Sequence, residues 1–447
     1  YMRVYKDKGQ VLSGGSAFEI STPYLEAELF DLKFAQSADV LYICHPSHDV
    51  RKLSRTGHTS WSLDQIEFTD GPYLVSNATA TTLTPSATTG NITITASAST
   101  FAATDVDRLV NFSNGYAKIT GFTSATVVNA TVRDDFDNTS AVTNWKLGAF
   151  SDTTGHPSTV SFFEQRLVFA GTDTEPQTLY FSKSGDYENM TTGTAADDAM
   201  VYTIASNQVN RIRYLKSVRT LIVGTTGGEF TVSADGTNAA VTPTNVTIKK
   251  QSSYGTANVD AITAGNATLF LQKAKRKIRE LQYNFDSDGY IAPDLTILND
   301  IVTKSGINEM AYQQEPDSIL WCVRDDGIFA GLTYQRSENV VAWHQHKLGG
   351  TFGAGASATG YGVVESVASI SGELTEDQLW VIVKRTINGA TKRYVECFAD
   401  FDINEETSTD FRFLDSHLTY SGGSTTTLSG LSHLEGQVVS ILADGST

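Results

Sequence analysis

The chain has 447 residues, 40% of them hydrophobic and 19% charged, and its 33 basic and 50 acidic residues leave a net charge of −17. That length allows two to three domains with a sizeable core, and the composition excludes a disordered tail; no apolar run approaches the ~20 residues of a membrane-spanning helix. The acidity also speaks against a tight grip on nucleic acid, because affinity there comes mostly from neutralised phosphates.

The chain starts at Tyr1 without an initiator Met or the basic-then-apolar pattern of a leader. It stops at Thr447, straight after the strand-like run Val438 to Leu442. It therefore reads as an internal portion of a longer protein. Cys44, Cys322 and Cys397 are odd in number and far apart, which gives no disulfide framework and suggests synthesis in a reducing compartment.

Along the chain, short alternating runs punctuated by Gly, Thr and Ser predict strands nearly throughout. The best helix candidates are Glu26 to Gln36 and Asp294 to Val302. Six segments share one shape, an apolar strand opening on Leu followed by a polar turn and a second strand. They open at Leu41, Leu167, Leu221, Leu269, Leu320 and Leu379. Four of them have a further Leu twelve residues on, at Leu53, Leu179, Leu281 and Leu332. The last five openings are 54, 48, 51 and 59 residues apart, whereas the first gap is 126.

That long gap holds a stretch of different composition. No charged residue occurs from Gly71 to Thr104, and ten Thr fall between Ser76 and Thr104. Asn91-Ile-Thr-Ile-Thr-Ala alternates as a strand with one buried face does. Treating residues 76–150 as an insertion of 75 residues brings the gap to 51, in line with the others. A period near 50 with about four short strands per unit predicts an all-β, propeller-like core of about six blades. Residues 1–75 would hold an N-terminal segment and the first blade, 76–150 an inserted Thr-rich β domain, and 151–400 the remaining blades. Residues 401–447 would begin a further C-terminal β region. The competing architecture is a large Greek-key protein whose hairpins recur by chance.

Sites that carry chemistry are scarce. The chain contains no phosphate-cradling P-loop, no HExxH, no CxxC and no GxSxG. The Gly-rich Gly349–Gly355 reads as a flexible loop. His344 and His346 would share one strand face and could seat a metal, and His45 and His48 form a looser pair. Neither pair has a third ligand at suitable spacing, so half-buried histidines are the simpler expectation. Asn284-Phe-Asp286-Ser-Asp288-Gly289 resembles the first half of a calcium loop, but the twelfth position is Leu295, where a carboxylate is needed. Asp400-Phe-Asp402-Ile-Asn404 lacks the Gly. No metal or cofactor is expected. The one basic run is Lys273, Lys275, Arg276, Lys277 and Arg279. If alternation holds through it, Lys275, Lys277 and Arg279 share a face that would meet a partner or a phosphate backbone; a solvated, Lys-protected edge is equally compatible. Fifty acids offer many carboxylate pairs of glycosidase type, and nothing singles one out.

Several segments resemble the tail nozzle proteins of short-tailed bacteriophages, also called tail tubular protein B. They begin with Phe18-Glu-Ile-Ser-Thr-Pro-Tyr24, Leu32 to Tyr42, His45-Pro46, Leu53-Ser-Arg55 and Trp61. Downstream come Gln165 to Phe169, Phe181 to Asn189, Asn210-Arg-Ile212, Leu221 to Thr225, Gly228-Glu229 and Arg279-Glu280. Asp325-Asp-Gly327, Leu332-Thr-Tyr334, Ala342-Trp343-His344, Lys384-Arg385 and Tyr394-Val-Glu396 complete the series. The resemblance covers most of 1–67 and 151–400. It implies a non-enzymatic structural subunit of the virion tail, assembled in the host cytoplasm into a hexameric ring. That ring would sit below a tail adaptor, dock fibres or spikes, and conduct genomic double-stranded DNA. On this basis Trp61, Trp343 and Trp380 are expected in blade cores. Arg55, Arg166 and Arg279 are expected in ion pairs or interfaces, and the run from Lys273 to Lys277 at a partner or the channel. The alternatives are a glycan-binding adhesion module, with Tyr116 or Phe122 as a stacking platform, and a propeller-type polysaccharide hydrolase.

Overall fold

A computed structural model describes residues 1–7, 9–206, 209–236, 239–372, 376–398, 420–431, 439 and 441. The chain is all-β. It divides into two compact units, Tyr1–Asn258 and Val259–Thr447.

In the first unit, the strands β1 (Lys33–Ser37), β2 (Val40–His45), β3 (His48–Gly57) and β4 (Ser60–Gln65) form an antiparallel meander in sequence order. The insertion follows, with β5 (Leu83–Pro85), β6 (Asn91–Ala96), β7 (Leu109–Phe112), β8 (Gly115–Ser124), β9 (Val127–Asp134) and β10 (Trp145–Leu147). They make one six-stranded sheet in the order β5-β6-β9-β8-β7-β10. Two more meanders complete the unit. One is β11 (Thr159–Phe163), β12 (Arg166–Ala170), β13 (Thr178–Phe181) and β14 (Met200–Thr203). The other is β15 (Ile212–Ser217), β16 (Leu221–Thr225), β17 (Gly228–Ser233) and β18 (Thr247–Ser252).

The second unit repeats the pattern. Its first sheet is β19 (Ile262–Ala264), β20 (Ala267–Leu271), β21 (Ile278–Asn284) and β22 (Gly289–Ile291). Its second is β23 (Ile307–Gln313), β24 (Ile319–Arg324), β25 (Phe329–Gln335) and β26 (Val340–His346). A three-stranded sheet follows, β27 (Val363–Ile370), β28 (Gln378–Ile387) and β29 (Ala390–Cys397).

Each is a blade. Within the units the first strands of successive sheets pack on one another, β1 on β11, β11 on β15, β19 on β23 and β23 on β27. Blade faces meet in sequence order. Tyr42, Cys44 and Val50 pack with Val160, Leu167 and Phe169. Val168, Leu179 and Phe181 pack with Leu221, Val223 and Phe230, and Trp321, Val323 and Phe329 with Val364, Leu379 and Val381. A sheet between two others has no face for water, so its middle strands are apolar on both sides. Every residue of β12, β16 and β20 is buried. By contrast β28 alternates half-buried and buried positions along its whole length.

All six Leu openings fall on the second strand of a blade, and in two of the four cases the twelve-residue spacing is cross-strand pairing, whereas Leu179 lies opposite Ala170 and Leu281 opposite Thr268. Leu41 lies opposite Leu53, and Leu320 opposite Leu332. Where rings must lie across a partner strand, the partner is Gly. Tyr214 is opposite Gly224, whose position a Cβ would bring within 2.1 Å of the Tyr214 ring.

Two expectations change. Of the Glu26–Gln36 helix only a 3₁₀ turn over Glu26–Asp31 forms, and Lys33–Ser37 is a strand because Lys33 and Ala35 must face the blade core. Residues 294–302 are a series of turns rather than a helix. Much of the region 401–447, and with it the whole Asp400-Phe-Asp402-Ile-Asn404 segment, lies outside the described residues; the described stretch 420–431 carries no strand.

Candidate functional site

A cleft of about 50 Å³ opens in the first unit where the insertion joins the first blade. The insertion leaves and returns side by side, with Leu74 donating its N–H to the Leu147 carbonyl at 2.9 Å and Ala149 to that of Pro72 at 2.8 Å. Residues from four separate stretches are thereby brought together: Asp49 at the start of β3, Glu67 after β4, Asp107 and Lys118 from the insertion, and His156 beyond it. The floor is apolar, with Val50, Ile66 and Phe68 among its residues.

A buried ion pair fixes the insertion's side of the cleft. Arg108 and Asp105 are nearly inaccessible to water and 2.7 Å apart. A charge so buried is tolerated only when its remaining hydrogen-bonding groups are satisfied. Here Arg108 Nε donates to the Gly148 carbonyl at 2.8 Å, and Thr153 donates to Asp105 at 2.6 Å. Asp107 follows directly, in a left-handed conformation with φ of 72°.

Lys118 Nζ lies 2.8 Å from Glu67 Oε1 and 3.0 Å from Asp107 Oδ1. Burial works against its charge, but the hydrogen bonds it donates to these two carboxylates outweigh that and hold the ammonium above the usual lysine value. Across the cleft, His156 Nε2 is 3.0 Å from Asp152 Oδ1, and its Nδ1 is 3.7 Å from Asp49 Oδ1. Burial, with the neighbouring carboxylates of Asp107 and Asp152, pushes the Asp49 carboxyl up from its ordinary value; His156 and Arg51 act against the shift.

The same sheet face continues past Lys118. Side chains alternate along a strand, so Tyr116 stands on the Lys118 side of β8, two residues away. It is half-buried, and its hydroxyl accepts a hydrogen bond from the Asp70 backbone, with burial raising its pKa. Asp70 Oδ1 accepts from Tyr73 Oη at 2.9 Å and from Asn111 Nδ2 at 3.2 Å. Phe122 is exposed farther along β8.

The residues singled out from sequence lie elsewhere. Lys273 to Arg276 form the turn between β20 and β21, with Lys275 at φ 59°, so strand alternation does not run through them. The expected common face of Lys275, Lys277 and Arg279 is corrected accordingly. Lys275 Nζ donates to Asn308, Lys277 pairs with Asp294 at 2.8 Å, and Arg279 donates to Gln272 and the Ala292 carbonyl. Lys273 and Arg276 are exposed.

Trp61, Trp343 and Trp380 are half-buried, and the tryptophan inside a blade core is Trp321, 6% exposed in β24. Trp61 and Trp343 sit on fourth, outer strands and donate to the carbonyls of His58 and Leu295. Arg55 makes an exposed pair with Asp39 at 3.3 Å. Arg166 is 2% exposed and donates to the carbonyls of Ser182, Ala196 and Asp198; burial lowers its pKa.

His344 Nδ1 and His346 Nε2 are 2.7 Å apart against the Trp321 ring. Burial holds both below the ordinary histidine value, and the His346 imidazole adds to the effect on His344. The turn at Asn284–Asp288 is closed by Ser287 N–H donating to Asn284 Oδ1. Among the described residues no three His, Cys, Asp or Glu stand together as a metal site, and the three cysteines are free thiols. Sequence reasoning missed the Asp49–His156–Asp152 arrangement. The spacing of Asp152 and His156 was its only local trace.

No family model matches the chain, and no curated protein does. Solved structures do match. An auxiliary nutrient binding protein from Bacteroides thetaiotaomicron is similar with a TM-score of 0.28 at 10% identity, over 72% of this chain and 86% of that one. The β-propeller domain of Cps50 (Swd1) from Myceliophteria thermophila reaches 0.35 at 10% identity, over 79% and 92%. The WD40 domain of Pan2 from Neurospora crassa reaches 0.33 at 8% identity, over 78% and 84%. These are nutrient-binding and propeller proteins, and none is a phage tail protein. The resemblance to tail nozzle proteins is corrected on that ground. The chain is not assigned to that family, to a structural role in a DNA conduit, or to a virion, and the partners implied by that family are not carried forward.

Proposed function

We propose that the chain is a carbohydrate-binding protein of propeller build without hydrolase activity, and that the glycan lies on the insertion beside the cleft. One observation carries this. The hydrogen-bonding groups of the cleft share a sheet face with an aromatic ring, Tyr116, two residues from Lys118 along β8. A sugar ring has an apolar C–H face that stacks on an aromatic and a rim of hydroxyls that take charge-assisted hydrogen bonds from carboxylates, amides and ammonium groups. Asn111, Asp70, Lys118, Glu67 and Asp107 offer those groups around Tyr116.

Glycoside hydrolysis needs two carboxyl groups, about 5–10 Å apart, flanking the bond that breaks. Glu67 and Asp107 instead share the Lys118 ammonium between them. One observation favours the hydrolase as second reading: burial and the neighbouring carboxylates push the Asp49 carboxyl up from its ordinary value, the direction a general acid needs. The test is to incubate the chain with a panel of polysaccharides and measure both retention and new reducing ends. Retention without new ends is expected. Turnover abolished by Asp49→Asn would replace binding with hydrolysis, and absence of retention on every polysaccharide would end both readings.

A further inference from the structure

Two turns meet at one end of the second unit's first blade, residues 272–277 between β20 and β21 and residues 294–306 between β22 and β23. The Leu295 N–H donates to the Ile278 carbonyl at 2.9 Å, Thr303 Oγ1 to that of Arg276 at 2.6 Å, and the Ile307 N–H to that of Lys275 at 2.9 Å. The second turn is anchored on both sides of its tip. Leu295 and Thr296 are buried before the tip, and Val302 and Thr303 after it. Asp294 Oδ1 accepts from both the backbone and the hydroxyl of Thr296. Between these anchors Ile297, Leu298 and Ile301 are 75%, 96% and 71% exposed. Single exposed aliphatics are ordinary. Three within five residues, held outward by buried flanks, form a patch that marks a contact surface.

Charge around the tip reverses that of the chain. The two turns hold five basic residues, Lys273, Lys275, Arg276, Lys277 and Lys304, and two acidic ones, Asp294 and Asp300, against 33 and 50 overall. Lys273, Arg276 and Lys304 are exposed. Asp294 is taken by Lys277 at 2.8 Å, and Asp325, whose N–H donates to the Gly306 carbonyl at 3.0 Å, adds one acid at the edge. A side chain as exposed as Leu298 has no wall beside it, so the tip is not a groove that grips a peptide. Projecting aliphatics with ammonium and guanidinium groups around them complement a surface that is apolar within and anionic at its rim. A bilayer containing anionic lipids has that section, its acyl chains taking the aliphatics and its headgroup phosphates the cations.

We propose that this tip docks on an anionic phospholipid surface, with Ile297, Leu298 and Ile301 entering the boundary between headgroups and acyl chains and Lys273, Arg276 and Lys304 meeting the phosphates. The proposal goes beyond the carbohydrate-binding reading and does not depend on it. The acidity of the rest of the chain opposes approach to such a surface only at short range, because it is screened beyond ~8 Å at physiological salt. Contact is then decided by the charges at the tip itself.

The test is cosedimentation of the full chain with two kinds of vesicle, phosphatidylcholine alone and a mixture of two parts phosphatidylcholine to one of phosphatidylserine. The mixed vesicles are expected to bind at least ~10-fold more tightly. Leu298→Asp is expected to weaken that binding at least ~10-fold. Because Leu298 touches almost nothing in the fold, its thermal melt should match that of the parent chain, so the loss reads contact and not folding. In Lys273→Ser with Arg276→Ser the preference for the mixed vesicles is expected to fall to within ~2-fold. Leu298→Trp supplies a second readout, a shift of its emission to shorter wavelength with the mixed vesicles alone. Sedimentation with neither vesicle overturns the proposal and leaves the patch to a protein partner. Equal binding to both vesicles, or binding that survives Leu298→Asp undiminished, also overturns it.

Discussion

Arg166 shows how a buried charge is held by backbone carbonyls, with the carboxylates of Asp197, Glu164 and Asp198 acting on it through space. Its guanidinium is enclosed and donates to the carbonyls of Ser182, Ala196 and Asp198, holding the segment that follows β13 against β12. Arg166→Ala would leave those carbonyls without their donor and is expected to destabilise the fold by roughly 3 kcal/mol, read by denaturant unfolding. At Asp49 the expected effect has the opposite sense with pH. Its carboxyl is raised in the folded chain, so the folded state binds that proton more tightly than the unfolded state, whose value is about 3.9. The stabilising contribution is full below the unfolded value and is lost as pH rises through the folded one. Asp49→Asn should therefore gain stability relative to the parent chain as pH rises from about 4, seen by comparing thermal melts across pH. A flat difference would show that Asp49 is not desolvated. Tyr116→Ala should leave stability little changed. It should weaken glycan binding by about 0.5–1.5 kcal/mol, roughly two- to twelvefold, in calorimetry.

At the scale of elements, the blades were legible because a strand buried on both faces must be apolar at every position. Leu167-Val-Phe-Ala, Leu221-Ile-Val-Gly and Leu320-Trp-Cys-Val announce such strands, and each proves to be the second of its sheet. The six-stranded sheet of β5 to β10 has its own trace in composition. Its uncharged, Thr-rich stretch contains β6, whose Thr residues face water while Ile92 and Ile94 face a separate core. The shared face expected of Lys275, Lys277 and Arg279 does not form because Lys275 leaves extended geometry at a turn, which alternation alone does not reveal. The cleft was not legible at all. Asp49, Glu67, Lys118 and His156 meet only because the insertion's entry and exit pair with each other. Since those two ends are adjacent, joining residue 75 to residue 146 by a short turn should leave a cooperatively folding chain. Calorimetric melting would check this, and a chain that no longer unfolds cooperatively would show that the insertion's own core supports the blades.

For the whole molecule, a charge of −17 sets the field in which any ligand arrives. Acidic surroundings raise the local concentration of cations and are screened beyond ~8 Å at physiological salt. Association of a cationic oligosaccharide should therefore slow as salt rises, while that of a neutral one should not; stopped-flow mixing at two ionic strengths would separate them. The central claim is that carbohydrate is bound at the insertion beside the first blade. Its most direct test is a glycan array probed with the full chain and with the chain lacking the insertion. Binding by the full chain that disappears with the insertion is the predicted result. Undiminished binding by the shortened chain, or an array on which the full chain binds nothing, would contradict the account.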